Sequence, residues 1–311
     1  MYLVRRAARF AISAVLVVLA SFAMLHLIPG DPVRAAMGPT APADAVAARR
    51  AELGLDRPVL DQLWTYLGKV ATGDFGVSAL TRQPAGEMVA DRLPATLQLV
   101  LPAIVVAFAV AVPLGMWTAA RTEHGRSPRT ELAFSSVTGI LTVLPEFLLA
   151  VFMIWLFSNR LGWLPPAERS GPSSFVMPVA AMAAGPIALL ARYVRLEAVR
   201  ELSSDYIRLA RAKRLPVHRI HLRHLLPNTL TAALTSGGTV LSSLLAGSVV
   251  IENVFRWPGL GGAMVDAIVN KDYALAQASI LVYGIIALTV VFAVDLLLVA
   301  LDPRSTLRET G

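Results

Sequence analysis

His218, His221 and His224 recur at intervals of three. On a helix that spacing sets three imidazoles along one edge, where they could ligate a divalent metal. No acidic residue lies close by in sequence to complete a ligand set, so basic side chains at a membrane interface explain them better and no metal is expected. The chain has no cysteine, which removes disulfides and thiolate metal sites. It carries no Walker A sequence, no His-Glu-x-x-His and no Gly-x-Ser-x-Gly. P-loop nucleotide binding, zinc-dependent proteolysis and serine hydrolysis thus lack their carriers, and an enzyme is not expected. What remains are ionisable groups in apolar surroundings. Glu146 follows Pro145 in the middle of a long apolar run, Asp295 sits in another, Glu252 and Asn253 close a third, and His26 lies near the end of the first. Such groups are costly in lipid and either pair with a neighbouring helix or mark a transport path. Pairing, or reach to the interface, is the better reading for Asp295 and His26. For Glu146 both readings stay open.

The elements that must hold these residues are membrane spans. Of 311 residues, 56% are hydrophobic and 16% charged, against about a quarter charged in a soluble domain. That much apolar surface needs lipid as a second solvent. The net charge of +7 would invite a nucleic-acid reading in a soluble protein. Here the basic residues sit in membrane-flanking loops, and no nucleic-acid partner is expected. Runs long enough to cross are Phe10–Ile28, Thr96–Ala120, Leu132–Phe157, Thr229–Ile251 and Ala276–Leu301. A less apolar sixth, Phe175–Tyr193, contains Pro178, Gly185 and Pro186, and should be kinked and packed among neighbours. The first run follows Arg5, Arg6 and Arg9. A cleaved signal peptide competes there, with Ser21-Phe22-Ala23 as a weak site, but the apolar run continues past it and an uncleaved anchor is preferred. Six spans leave both termini on one side. Nine basic residues from Arg192 to Arg223, with Arg121, Arg126 and Arg129, place that side in the cytoplasm, whereas the short opposite loops hold only Arg160, Arg169, Arg256 and Lys271.

Two loops are too patterned to be tethers. Between spans one and two, Ala43–Leu53 is alanine-rich and Pro58–Val70 repeats Val59, Leu60, Leu63, Trp64 and Leu67 near helical spacing. Gly73-Asp74-Phe75-Gly76 reads as a turn. A small extracytoplasmic subdomain is expected, either a cap on the helix ends or a docking surface for a ligand-delivering partner. Between spans four and five, Ser204 or Ser203 can cap a short helix, with Asp205 in its first turn and Lys213 and Arg214 at its end, before Pro216 stops it. Tyr206, Leu209 and Ala210 would share one face, with Arg208, Arg211 and Arg214 projecting elsewhere. This basic helix either lies on anionic lipid or forms a knob that a cytoplasmic partner grips.

In that loop, Glu197-Ala198-Val199, Asp205-Tyr206-Ile207-Arg208-Leu209-Ala210-Arg211-Ala212-Lys213, Leu222-Arg223-His224 and Asn228 resemble the EAA loop of bacterial ABC importer permeases, in the version of the dipeptide/oligopeptide/nickel permease family, most like its dipeptide-permease B type. Pro29-Gly30-Asp31-Pro32, Glu52–Pro58, Gly73–Ser78, Glu252–Gly261, Asp272-Tyr273 and Asp302-Pro303-Arg304 extend the resemblance along nearly the whole chain. The family pattern has glycine where this chain has Arg214. Glycine would supply a left-handed helix end that arginine adopts only at a cost, so the helix is expected to end differently or to add an ion pair.

The resemblance implies an all-α membrane protein with six transmembrane helices and the type I ABC importer permease fold. The expected division is an N-terminal end and first helix at 1–28, an extracytoplasmic subdomain at 29–95, a permease core at 96–302 containing the EAA loop at 195–228, and a cytoplasmic tail at 303–311. The implied activity is import of di- or oligopeptides across the bacterial cell membrane, by alternating access. The implied partners are a homologous second permease, one or two cytoplasmic ATP-binding-cassette ATPases that hold the ATP and Mg, an extracytoplasmic binding protein, and membrane lipid; this chain itself needs no cofactor. Coupling falls to Glu197, Ala198, Ser204, Asp205, Tyr206, Arg208, Ala210, Arg211, Lys213 and Arg214. Binding-protein docking falls to Asp31, Asp74, Phe75, Arg256 and Trp257. The small or polar positions Glu146, Ser236, Gly237 and Ser242 are candidates for the substrate path, although close helix packing also accounts for the serines and the glycine. Nickel, glutathione or another small solute is the alternative cargo, and a non-transporting membrane scaffold the alternative class.

Overall fold

The computed structural model describes residues 2–27, 32–38, 40–52 and 54–301, a few helical positions by backbone alone. Helices follow one another as α1 (Tyr2–Leu27), α2 (Pro32–Met37), α3 (Ala43–Glu52), α4 (Val59–Ala71), α5 (Ala85–Thr122), α6 (Pro128–Val143), α7 (Glu146–Met153), α8 (Val176–Leu202), α9 (Asp205–Ala212), α10 (Val217–Ile220), α11 (Leu226–Val254), α12 (Leu260–Val269) and α13 (Tyr273–Leu301). Segments Ile154–Arg160 and His221–Leu225 are π-helical. Among the described residues the one β feature is an isolated bridge between Val77 and Pro84.

Among the described residues four helices are long and apolar enough to cross a membrane: Arg6–Met24, Ala85–Thr122, Pro172–Leu202 and Tyr273–Ala293. The expected span Leu132–Phe157 is divided. Leu144 is extended, and α6 and α7 meet at 100°. Pro145 explains the break, because it has no N–H for the helical ladder and pushes the residue before it out of the α region. The pair counts as a fifth span if the two halves cross together. The expected run Thr229–Ile251 lies in α11, which is 29 residues long, or about 44 Å at 1.5 Å per residue; its described apolar stretch is Ser243–Val254. Pro186 sits inside α8 without ending that helix.

The chain forms two compact units. The first contains residues 1–97 and 257–289. In it α1 and α13 cross closely, since a Cβ on Gly284 would come within 2.5 Å of Val17. The Gln277 amide donates to the Ser21 carbonyl at 3.3 Å. The Ser21 and Tyr66 hydroxyls share a 2.6 Å hydrogen bond, and the Phe22 and Tyr66 rings lie 5.6 Å apart, tying α4 to α1. Ser21 and Phe22, at the weak cleavage site, are thus built into this unit.

The same unit holds the turn read at Gly73–Gly76. Both glycines have positive φ, and Asp74 accepts the Gly76 N–H at 2.9 Å. Buried Asp272 accepts the Ser78 hydroxyl and the Ala79 N–H, and caps α13 through the Leu275 N–H. Apolar packing of Ala85 and Val89 against Leu260, Ala267, Leu275, Ala276 and Ala278 closes the block.

The second unit contains residues 98–256 and 290–311. Its centre is α8, whose Met182, Ala188, Leu190, Ala191 and Val194 are fully buried. Small residues let backbones approach, as helix association in lipid requires. A Cβ on Gly115 of α5 would meet the Ala191 carbonyl at 2.7 Å.

Candidate functional site

The loop between α8 and α11 begins inside the second unit's core. Ala198 and Leu202 pack with Val112, Met116, Ala119, Val194, Leu225 and Ala233, so Ala198 anchors the loop rather than facing a partner. Glu197 is three-quarters buried and lies 3.9 Å from Arg200. Ser204 occupies the N-cap of α9 with φ −70° and ψ 153°. Its hydroxyl does not cap α9; it donates back to the Glu201 carbonyl at 2.6 Å. Ser203 likewise donates to the Arg200 carbonyl, at 2.7 Å.

The face that gathers Tyr206, Leu209 and Ala210 is not the one that packs against the chain. Ile207 and Ala210 are buried against Ile220 and Leu215, whereas Tyr206 and Leu209 are 41% and 56% exposed. The reason is the return of the chain: α10 folds back and covers positions 207 and 210, a pair three apart on one helix edge. The exposed residues of α9 are Asp205, Tyr206, Arg208, Leu209, Arg211 and Ala212, of which Arg211 is tied down by an ion pair. Asp205 and Arg208 face each other at 3.3 Å.

The two ends of α9 are held by side chains. Arg211 makes a two-pronged ion pair with Glu123, at 2.9 and 3.0 Å, with Glu123 only 16% exposed. Tyr206 donates to the Glu201 carboxylate and accepts the Asn228 amide at 2.8 Å. Burial first, and then the Glu201 hydrogen bond, push the Tyr206 phenol up. Burial, and next the Arg211 charge, push the His221 imidazole down, with Glu123 opposing. Arg195 reaches Glu131 at 2.8 Å and the Thr122 hydroxyl at 3.2 Å, and its guanidinium lies 5.6 Å from the Phe134 ring centre. Glu123, Glu131, Arg195 and Glu201 were not singled out from sequence. Glu123 carried a signal nonetheless: it is an acid beside Arg121 and Arg126, in a segment expected to face nine cations.

The end of α9 corrects a further expectation. Arg214 is left-handed, with φ 53°. Leu215 N–H donates to the Ala210 carbonyl at 3.2 Å and Arg214 N–H to the Arg211 carbonyl at 2.9 Å. These two bonds, with Leu215 packed on Ile207 and Ala210, are the Schellman termination. The helix therefore ends as glycine would end it, although arginine occupies the position. Lys213 and Arg214 are exposed.

The other candidates lie apart from this loop. Glu146 is the first residue of α7, and its carboxylate presses on Gly247 of α11, where a Cβ would come within 3.0 Å of the Glu146 Cδ. Ser236, Gly237 and Ser242 lie in α11, with side chains outside the described residues, as are those of Asp295 and His26; Asp31 and residues 302–304 lie wholly outside. Asp74 and Arg256 are exposed, Arg256 with φ 49°, and Phe75 packs on the α5 and α13 cluster. Trp257 is 3% exposed and donates its Nε1–H to the Ala95 carbonyl at 2.9 Å. It fastens its turn and presents no surface to a docking partner. Among the described residues no three His, Asp or Glu side chains gather as a metal site.

Residues 111–307 match the family described as binding-protein-dependent transport system inner membrane component, and residues 1–100 match the N-terminal part of such membrane components. The glutathione transport system permease protein GsiC of Shigella flexneri serotype 5b (strain 8401) is 36% identical over 282 residues, covering 91% of each chain. The GsiC of Salmonella choleraesuis (strain SC-B67) is 35% identical over 302 residues, covering 97% of each. Among solved structures, an inward-facing MetNI methionine ABC transporter chain shares the fold at TM-score 0.53 and 20% identity, over 69% of this chain and 96% of that one. A second crystal form of it gives 0.54 at 18% identity. The chain belongs to the binding-protein-dependent transport system inner membrane components, as a permease subunit of an ABC importer.

Proposed function

We propose that this subunit imports short peptides, glutathione among them, by alternating access driven by separate ATPases. The observation that carries the proposal is α9 itself. A short helix is fixed from behind by Ile207, Ala210, Leu215 and Ile220, clamped by Glu123 and Asn228, and left with Asp205, Tyr206, Arg208 and Leu209 exposed. A lever must be stiff where it joins the moving body and exposed where it is gripped. On this reading an ATPase cleft takes the exposed face, and Arg211 acts inside the lever. ATP binding draws the ATPases together and α9 carries α8 and α11 with it. Moving a population from 1:99 to 99:1 needs about 5.5 kcal/mol of differential binding.

Both termini then lie in the cytoplasm, six spans cross, and the α2–α4 segment faces the binding protein outside, with Asp74 and Arg256 as the exposed docking candidates. A homologous second permease completes the path. Glu146 lines it together with the α11 positions 236, 237 and 242. Glutathione enters through the relatives, which are glutathione permeases by name; it is itself a tripeptide and fits the same cargo class. The test is uptake of labelled dipeptides, oligopeptides and glutathione into proteoliposomes holding the assembled complex and internal ATP. Uptake of peptide or glutathione that stops when Ser204–Arg214 is deleted supports the reading. Unchanged ATP-driven uptake after that deletion removes α9 from the mechanism, and transport of nickel alone removes the peptide cargo.

A further inference from the structure

A cleft of about 870 Å³ opens within the first unit, where the end of α1, the α2–α4 segment, the 73–82 turn and the start of α13 meet. Its lining includes the apolar Phe22, Val33, Tyr66, Phe75 and Ala278, and the cationic Arg57, Lys69, Arg82 and Lys271. None of these four cations has an ion pair among the described residues. Arg49, also in the lining, is bound to Glu52 at 2.6 Å. The aspartates in the lining are occupied: Asp272 by Ser78 and Ala79, Asp74 by the Gly76 N–H. The lining holds five cations (Arg49, Arg57, Lys69, Arg82, Lys271) against three carboxylates (Glu52, Asp74, Asp272), so it sets a net positive charge beside an apolar wall, the complement of an anionic amphiphile.

Two further observations place it at a lipid boundary. Tyr66 of α4 bonds to Ser21, whose carbonyl accepts the Gln277 amide four residues into α13, just past the polar pair Lys271-Asp272, or about 6 Å along the α13 axis. So α4 packs at the level where hydrocarbon gives way to headgroups. Its Leu60 and Trp64, one helical turn apart, are 70% and 71% exposed, and Val59 beside them 54%. An amphipathic helix with an apolar stripe and a tryptophan at that depth fits the membrane interface.

We propose that α4 is an interfacial helix and that the cleft beside it holds the headgroup of an anionic phospholipid, with Lys69 and Lys271 as principal contacts. Each interfacial Lys or Arg strengthens anionic lipid association about fivefold. The full-length protein is washed with delipidating detergent, reloaded with equal phosphatidylglycerol and phosphatidylethanolamine, and its retained lipid measured by mass spectrometry. Tenfold or greater retention of phosphatidylglycerol is expected. K69Q/K271Q should bring it within twofold of phosphatidylethanolamine, while K69R/K271R keeps the preference. Soluble glycerol phosphate should not displace the lipid, because it lacks the apolar part. Equal retention of both lipids, an unchanged preference in K69Q/K271Q, or displacement by glycerol phosphate would overturn the site. So would loss of a co-purifying acidic protein in K69Q/K271Q with lipid retention unaltered.

Discussion

Helices α4 and α9 are both short, amphipathic and charged at the tips, yet the chain treats them oppositely. The apolar edge of α9 is covered by the chain's own Ile220 and Leu215, its Arg211 is paired with Glu123, and its Tyr206 hydroxyl is bound by Glu201 and Asn228. The apolar stripe of α4 is left open at Leu60 and Trp64, and among the described residues Arg57, Lys69, Arg82 and Lys271 around its cleft make no ion pair. A helix sealed from behind can transmit force through a fixed geometry. A helix left open is completed by its surroundings, and its order should vary with the lipid supplied. Amphipathic pattern alone does not distinguish them; what lies next along the chain does.

The largest effect expected from breaking this contrast is at Ile207. Ile207→Asp places a charge without a partner in the small core under α9, which costs several kcal/mol. We expect rapid hydrogen exchange over residues 205–220 and loss of ATPase association. Leu60→Asp, on the open stripe of α4, should leave that exchange unaltered. Next is Asp272→Ala, which strands the Ser78 hydroxyl and the Ala79 N–H. A loss of about 1–3 kcal/mol is expected, read as lower thermal stability and faster exchange at residues 76–85.

A smaller effect separates grip from clamp. Arg208→Glu should weaken ATPase pull-down without loosening the loop. Arg211→Glu should loosen the loop, because it sets a like charge against Glu123. The loop should also soften in acid. The folded state holds the His221 pKa below its unfolded value, so protonation favours the open loop. The sign is loss of stability as pH falls below about 6.5, and His221→Asn should remove that slope in exchange measurements. The smallest effect is a gain. Arg214→Gly relieves a left-handed arginine and should stabilise α9 by about 1 kcal/mol, slowing exchange at residues 210–215.

Much of this was legible from residue order. Apolar length gave the first, second, fourth and sixth spans, and the cap, basic end and Pro216 gave α9 with its boundaries, but the third span reads as continuous in the sequence although Pro145 stands at its break. Helices α3 and α4 followed from alanine content and helical spacing. The buried face of α9 was not legible, because Ile207 and Leu209 compete on similar hydrophobicity and only the return of α10 decides. The Glu123–Arg211 pair spans 88 positions, and no local pattern signals so distant a partner. Trp257 is expected at a docking surface only through the family resemblance. Its burial depends on the Ala95 carbonyl, again a remote group.

The absence of native cysteine allows the central claim to be tested at one atom. Leu209→Cys places a single thiol on the exposed face of α9, and the assembled complex can be probed by cross-linking to a cysteine in the ATPase. An α9 gripped from the cytoplasm gives a cross-linked pair whose yield changes with ATP, and no labelling by an impermeant maleimide added outside intact cells. Labelling from outside, with no cross-link in any nucleotide state, would contradict it.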